Sequence, residues 1–106
     1  MNLSSISPVA EQLLQLRRQH IVEWQTQLSD EVKARSALEA RHQSETTRLL
    51  REECHYSQRG ILAQQQLEEL ARLRAENRAK RLMIRACQQQ KELDLKQLVK
   101  SQNGAS

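Results

Sequence analysis

The chain of 106 residues is long enough for no more than one small domain, and its hydrophobic residues, 38% of the total, are almost entirely aliphatic. One Trp, one Tyr and no Phe are too few for a globular core, and two glycines and one proline provide almost no turns. The net charge of +4 is uneven, because residues 1–40 hold four basic and five acidic side chains whereas residues 41–106 hold thirteen and eight. This balance excludes a compact domain with a large core, favours long helices, and makes the second half the candidate surface for an anionic partner.

The first helix is predicted to begin at Pro8. Residues 1–7 read as an extended lead, and Ser7 followed by Pro8 supplies a capping hydroxyl and then a proline at the first helical position, where a missing N–H has no cost. Apolar residues recur at helical spacing from there. Helical segments are therefore predicted over residues 8–102, with Asn103 and Gly104 as a stop signal and residues 103–106 as a flexible tail.

Two places inside the predicted helices are candidates for a bend. Ser29 and Asp30 form a weak capping signal with no Gly or Pro beside it, and Gly60 is an interior glycine, which costs a helix about 1 kcal/mol relative to alanine. Pairs of Glu with a basic residue four positions later, such as Glu92 with Lys96, favour helix throughout. The sequence thus predicts an all-α fold: an extended long helix, or a few consecutive helices, with little or no globular core and candidate bends near Ser29 and Gly60.

A seven-residue step from Leu14 meets an excess of apolar residues, which begins with Leu14, Ile21 and Leu28. The column three positions later, which includes Trp24, is mostly polar, whereas a self-sufficient coiled coil needs both columns apolar. The chain therefore has half of a coiled-coil seam. Such a narrow stripe buries too little area to hold a helix alone, so other surfaces are expected to cover it.

Trp24 is the candidate anchor of the first half of the chain, with Ile21 and Leu28 one turn to either side. Tryptophan is a favoured residue type at the centre of protein interfaces. The binding residues predicted for this half are therefore Leu14, Ile21, Trp24 and Leu28. Packing of Trp24 between two helices of this same chain is the alternative.

A basic run in the second half contains six Arg and Lys residues from Arg72 to Arg85 against one acid, Glu76. Aliphatic residues alternate with these charges, a pattern typical of a helix that lies on a protein surface and reaches its carboxylates. Nucleic acid is not the expected partner because the run has no aromatic residue to stack on bases, although charge alone suffices for non-specific binding. A solvated face is the alternative to an interface, for which the predicted residues are Arg72, Arg74, Arg78, Arg81 and Arg85.

No arrangement of residues in the sequence indicates catalysis. Cys54 and His55 are adjacent, so on a helix they point about 100° apart, and no further ligand stands at metal-binding spacing. His20 and His42 are isolated, and the sequence has no phosphate-binding loop or nucleophile motif. We therefore expect a protein without enzymatic activity, metal, cofactor or small-molecule substrate.

Cysteine spacing and hydropathy predict the compartment. Cys54 and Cys87 lack CxxC spacing and are expected to be reduced thiols of an intracellular protein. The sequence shows neither a signal peptide nor a membrane-spanning stretch. We therefore expect a soluble protein of the cytoplasm that binds no membrane.

Two segments carry a resemblance to a known group of proteins. HIVEWQTQL, residues 20–28, places an isolated Trp in a helix after a short lead, and KRLMIRACQQQKELDLKQLVKSQNG, residues 80–104, is a basic helix whose tail is punctuated by Leu and Glu. In this order the chain resembles the small helical microtubule inner proteins of cilia and flagella, although its tail lacks their aromatic residue. The resemblance implies a structural protein of the axonemal cytoskeleton that lies on α/β-tubulin in the lumen of doublet microtubules, beside neighbouring inner proteins, without catalysis or cofactor.

The Gln-rich, basic composition carries a second resemblance, to the stalk proteins of flagellar and type III export machines. Those proteins are coiled coils of two helices that contact an export ATPase ring, and the present chain is shorter than they usually are. Gly60 would be the corner between the two helices. The sequence therefore predicts a structural protein that braces a large assembly, with axonemal microtubules first and an export stalk or a non-specific nucleic-acid-binding helix as alternatives.

Overall fold

The structure, a computed structural model, describes residues 8–52 and 56–104, with side chains through residue 101. Helix α1 comprises Pro8–Arg51 and helix α2 comprises Tyr56–Gly104. Every described residue except Glu52 is helical, and this part of the chain contains no strand. The predicted all-α class is therefore confirmed. The predicted extended lead, residues 1–7, and the last two residues of the predicted tail lie outside the described residues.

Charged residues at the ends of α1 favour the helix at both termini. Glu11 lies in the first turn, and Arg48 and Arg51 lie in the last turn, where they complement the partial charges of the helix dipole. The Glu52 N–H donates to the Arg48 carbonyl oxygen at 3.1 Å and completes the final turn. The helix therefore ends at Arg51 without a glycine or a proline.

The interruption between the helices lies at neither of the two candidate bends. Ser29 lies within α1 and Gly60 lies within α2, and the helix continues through both residues. A Cβ atom added at Gly60 would meet no atom within 4 Å, so no neighbouring backbone requires a glycine there. Helix α1 instead ends at Arg51 and α2 begins at Tyr56, and the intervening sequence has no glycine or proline that would have predicted these ends.

The chain forms two units, one of Met1–Gln27 with Arg81–Ser106 and one of Leu28–Lys80. Within the first unit the segments of α1 and α2 lie side by side. His20 contacts Gln88 and Glu92, and one turn later Trp24 contacts Arg85, so the numbering rises along α1 as it falls along α2. The two segments of the first unit are therefore antiparallel.

The second unit pairs its own segments of α1 and α2 in the same sense. Gln66 donates to groups of His42 and Thr46, whereas Glu69, further along α2, contacts the earlier residue Arg41. The numbering again rises along one helix as it falls along the other. The second unit is therefore also an antiparallel helix pair.

The seam of the first unit consists of the side chains that are buried or half-buried. These side chains recur every three or four positions along both helices. There are five such steps over the 18 positions from Val9 to Gln27 on α1 and five over the 18 positions from Arg81 to Val99 on α2. The average step is therefore 3.6 residues. This average equals the period of a straight α-helix. The seam residues are Val9, Leu13, Leu16, His20, Trp24 and Gln27 on α1 and Arg81, Ile84, Gln88, Glu92, Leu95 and Val99 on α2.

The seam of the second unit is equally mixed in character. Its half-buried and buried residues again recur mostly three or four positions apart, with one longer step on α1 and two adjacent residues, Glu69 and Leu70, on α2. Leucines share the seam with glutamates and a histidine on α1 and with a glutamate and two amides on α2. These residues are Glu31, Leu38, His42, Glu45 and Leu49 on α1 and Leu62, Gln66, Glu69, Leu70, Leu73 and Asn77 on α2.

No hydrophobic side chain among the described residues is buried. The buried residues of this part of the chain are instead His20 and His42, which are 6% and 8% exposed. The prediction of little or no globular core is therefore confirmed. The apolar side chains form a stripe between two helices, as the low aromatic content requires.

In the first unit, the α1 segment does not place the seven-residue column that begins at Leu14 in the seam. Leu14 and Ile21 are 52% and 57% exposed and lie beside the seam, whereas Trp24, from the mostly polar column, lies in it. A strict seven-residue column drifts by about 20° per heptad around a straight helix. Because Leu14 already lies beside the seam, this drift brings the column into the seam only further along α1, at His42 and Leu49 of the second unit.

We predict that Gly60→Ala stabilises the protein. Gly60 is helical, exposed and free of neighbours at the Cβ position, so alanine removes conformational entropy from the unfolded chain without a clash. The expected gain is about 0.5–1 kcal/mol in the free energy of unfolding, measured by urea denaturation with far-UV circular dichroism. The matched control is Ala63→Gly, an exposed position one turn later, which should lose a similar amount. A destabilised Gly60→Ala variant would mean that the backbone at this position is not helical.

Candidate functional site

A buried polar layer joins the two helices of the first unit. His20 Nδ1 lies 3.2 Å from Glu92 Oε1, and the Gln88 side-chain amide donates to the His20 carbonyl oxygen at 3.0 Å. A carboxylate can only accept a hydrogen bond, so this contact requires the proton of a neutral imidazole to be on Nδ1. The imidazole ring, a glutamate and a glutamine thus occupy the place of an apolar layer.

The second ring nitrogen of His20, Nε2, leaves the hydrogen bonds of this layer incomplete. Nε2 is buried and has no hydrogen-bond partner. In the tautomer that Glu92 requires, Nε2 is an unprotonated acceptor, which is less costly to leave unpaired than a buried N–H of a charged ring. The layer therefore favours one tautomer and one orientation of His20.

A second polar layer has the same residue types in the second unit. The Gln66 side-chain amide donates to the His42 carbonyl oxygen at 3.1 Å, and His42 Nε2 lies 3.6 Å from Glu69 Oε2, beyond hydrogen-bond distance, so Nε2 is buried without a hydrogen-bond partner. Arg41 also contacts Glu69 through its guanidinium. In both units, then, α1 supplies a buried histidine, and α2 supplies a glutamine for its carbonyl oxygen and a glutamate for its ring.

These layers specify how the helices pair. A displaced register would leave the histidine ring and the amide buried without partners, and each such group costs about 1–3 kcal/mol. An apolar seam of leucines would tolerate such a displacement more readily. Polar seam residues are known to set register and orientation in coiled coils at some cost in stability. The histidine, glutamine and glutamate therefore act as the register-determining residues of each unit.

A groove beside Trp24 lies on one flank of the first unit. Its volume is about 520 Å³, and its residues come from both helices. Trp24 is half-buried, and the Arg85 guanidinium lies 5.7 Å from the centre of its ring, a cation–π distance. The lining residues are Arg17, His20, Ile21, Trp24, Gln25, Arg85, Gln88 and Glu92. We call this surface the Trp24 groove.

The first unit has another groove on the opposite flank of α1, about 530 Å³ in volume. It shares no lining residue with the Trp24 groove. Uncharged glutamines line its α1 side, and a lysine and an aspartate balance each other on α2. The lining residues are Gln12, Gln15, Leu16, Gln19, Lys91, Asp94, Leu95 and Leu98. We call this surface the glutamine groove.

The structure brings together part of the predicted binding set. Ile21, Trp24 and Arg85 line the same groove, so an aliphatic, an aromatic and a cationic side chain meet there. Leu14 is exposed on the same flank of α1, two turns before Ile21, by helical geometry. Leu28 belongs to the second unit and is 41% exposed. Trp24 therefore packs between the two helices and also forms part of an open surface.

The predicted basic run is divided between the units. Arg72, Arg74 and Arg78 are exposed in the second unit, whereas Arg81 and Arg85 belong to the first. Arg81 is half-buried in the seam, so its side chain takes part in helix pairing rather than projecting fully outwards. The run is therefore not a uniform charged face.

Sequence reasoning missed the residues of the polar layers. The two histidines were isolated in the sequence, yet they stand 22 positions apart on α1, and Gln66 and Gln88 stand 22 positions apart on α2. Twenty-two residues make about six helical turns, which returns a side chain to nearly the same face. This matched spacing of polar residues was the available signal. Glu92 was predicted to pair with Lys96, but in the structure it contacts His20.

The described residues contain no cluster of three or more potential metal ligands. None of the described helices has a stretch long and apolar enough to cross a membrane. Comparison with known proteins assigns no relatives: no family model matches the chain, and no curated protein or solved structure is detectably similar to it.

We predict that Glu92→Ala destabilises the helix pair. The substitution leaves His20 Nδ1 buried without its acceptor, at an expected cost of about 1–3 kcal/mol in the free energy of unfolding. Glu39→Ala is the control, because Glu39 pairs with Arg35 on the surface, where such a pair contributes about 0.3–0.5 kcal/mol. Urea denaturation of both variants measures the difference. Equal, small losses would contradict the structural role of the polar layer.

Proposed function

We propose that the chain is a non-enzymatic structural protein that binds and braces a larger protein assembly. The observation that carries the proposal is the distribution of apolar surface: no hydrophobic side chain of the described residues is buried, while thirteen large ones are at least 41% exposed. Exposed apolar surface on this scale marks interaction sites in soluble proteins. The helix pairs thus have narrow internal seams and broad surfaces for partners.

In this proposal the buried histidines and the glutamates beside them have a structural role. His20, His42, Glu69 and Glu92 approach one another across the helix pairs, and each contact joins α1 to α2. Both grooves are open surfaces of the first unit; His20 lines one of them, and His42 lines neither. These residues are therefore proposed to hold the helices in register, with no catalytic step.

Two assemblies fit such a protein, and the pairing of the helices favours the stalk of a flagellar or type III export apparatus. That resemblance implies two helices held against each other, which supports this choice, with contact to an export ATPase ring as the proposed activity. Gly60, the corner that this resemblance implies, lies within α2, which begins at Tyr56. The polar seam residues would then preserve the register of a stalk that bears load.

The microtubule inner protein is the second candidate. In this proposal the Trp24 segment anchors the chain to α/β-tubulin in the axonemal lumen of a cilium or flagellum, and neighbouring inner proteins cover the remaining surface. The observation that favours it is the exposed apolar flank of Leu14 and Ile21 beside Trp24. Leu28, Arg72, Arg74 and Arg78 would contact the scaffold from the second unit.

Cross-linking mass spectrometry on the native assembly tests the proposal and separates the candidates. We expect cross-links from Lys91 and Lys100 to a multi-subunit scaffold. Cross-links to an export ATPase would support the stalk, and cross-links to tubulin would support the inner protein. Cross-links to nucleic-acid-binding proteins, or recovery of the chain with no scaffold at all, would contradict a bracing role.

We predict that charge reversal in the second unit weakens attachment. Arg74→Glu combined with Arg78→Glu places two acids on one exposed face of α2, and retention in the assembly should fall several-fold, most strongly at low salt. The control is Arg18→Glu with Lys33→Glu, which changes the net charge equally at exposed positions outside the predicted set. Retention is measured by washing the assembly at increasing ionic strength. Equal behaviour of the two double variants would indicate that the basic run is a solvated face.

A further inference from the structure

We propose that the Trp24 groove binds an amphipathic helix of a partner protein, one whose apolar stripe is flanked by acidic residues. This inference rests on the proposed function and deepens it, because it assigns a place and a chemistry to one contact with the assembly. It uses the first unit alone.

The shape of the groove suits a helix. Two antiparallel helices leave a channel parallel to their axes, and a third helix fills such a channel by placing side chains at i, i+3, i+4 and i+7 into it. Ile21 and Trp24 form an apolar floor on α1, and the Arg85 guanidinium lies over the ring of Trp24 from α2. Arg85 is itself exposed, so the groove remains open above this floor.

The charge of the groove selects an acidic partner. Arg17 and Arg85 line it, whereas its carboxylate, Glu92, already contacts the buried His20. Arg17 lies 4.0 Å from Glu92 with a side chain that is 53% exposed, and no carboxylate of the described residues lies within 4.0 Å of Arg85. Both guanidinium groups can therefore donate paired hydrogen bonds to carboxylates on an incoming helix.

The glutamine groove provides the internal contrast. It is similar in volume, but Lys91 and Asp94 cancel each other, and Gln12, Gln15 and Gln19 carry no charge. An acidic helix would gain no electrostatic attraction there. Volume alone would make the two grooves equivalent, so the cations and the tryptophan distinguish the Trp24 groove.

A second copy of this chain is a poorer occupant for the same reason. In a two-fold dimer a surface meets itself, so Arg17 and Arg85 of one copy would approach those of the other. Like charges at an interface oppose association. A partner with acids beside its apolar stripe removes that conflict.

The sole tryptophan of the chain makes the test direct, because all tryptophan emission comes from the groove. The full-length chain is titrated with a synthetic helical peptide of about five turns that has leucines at i, i+3, i+4 and i+7 and glutamates on both flanks. A matched peptide has lysines in place of the glutamates. Both peptides lack tryptophan. We expect a saturable blue shift of Trp24 emission with the acidic peptide, weakened by salt, and at least about tenfold weaker binding of the basic peptide.

Substitutions locate the binding to the groove. Ile21→Asp should weaken binding of the acidic peptide at least about tenfold, whereas Val22→Asp, at a neighbouring position with almost the same exposure and outside the groove, should change it less than twofold. Arg85→Gln should weaken binding several-fold, and Lys91→Gln in the glutamine groove should not. Far-UV circular dichroism verifies that each variant is folded. If Ile21→Asp unfolds the chain, the comparison of Arg85→Gln with Lys91→Gln decides.

Each other outcome overturns the inference. No shift with the acidic peptide, or an equal response to both peptides, would show that the groove does not select acidic helices. A shift that appears on raising the protein concentration alone, with dimers in analytical ultracentrifugation, would assign the groove to a second copy. If these outcomes occur while native cross-links to a scaffold are still found, the groove assignment fails and the proposed bracing function stands.

Discussion

Both units bury polar groups between two helices, and the pairing of the helices decides which of these groups find partners. In the first unit His20 contacts Glu92 and Gln88, and in the second Gln66 donates to the His42 carbonyl oxygen, whereas Nε2 of each histidine has no hydrogen-bond partner. Apolar contact supplies the attraction, but the seam is too narrow and too mixed to select a register by itself. The polar layers add that selectivity, because a displaced pairing buries several unpaired groups at about 1–3 kcal/mol each. Each unit is thus held weakly by apolar area and specifically by hydrogen bonds.

This division leaves the outer surfaces available for function. Apolar residues that a globular protein would bury are exposed beside the seam, and guanidinium groups stand next to them. Trp24 links the two roles, because its ring packs against Arg85 within the pair and also forms the floor of an open groove. A helix pair built in this way is suited to a structural task, in which a defined surface must be presented and the chain's own core contributes little. The same surface explains why an assembly, rather than a small molecule, is the proposed partner.

The helical class could be predicted from the sequence, because composition, scarce turn residues and Glu-to-basic spacing all indicate helix. The seam could not, because it does not follow a seven-residue repeat of apolar residues. The observed seam has a period of 3.6 residues in the first unit and contains histidine, glutamine and glutamate, which the hydrophobic pattern treats as surface. The interruption after Arg51 was also unpredictable, since Glu52 through His55 include no glycine or proline. Of the candidate site, Trp24, Ile21 and Arg85 were predicted and meet in space, whereas Arg17 and Glu92 join them only through the fold.

Disulfide formation between engineered cysteines is the most direct test of the antiparallel register of the two helices in the first unit. In a background with Cys54→Ser and Cys87→Ser, Leu16→Cys with Leu95→Cys places two thiols in the seam of the first unit, at residues that line the same groove. Leu16→Cys with Ile84→Cys is displaced by eleven residues, about 16 Å along α2. We expect rapid oxidation of the first pair within one chain and little oxidation of the second, as measured by mass spectrometry. Equal rates for the two pairs, or disulfides only between chains, would contradict it.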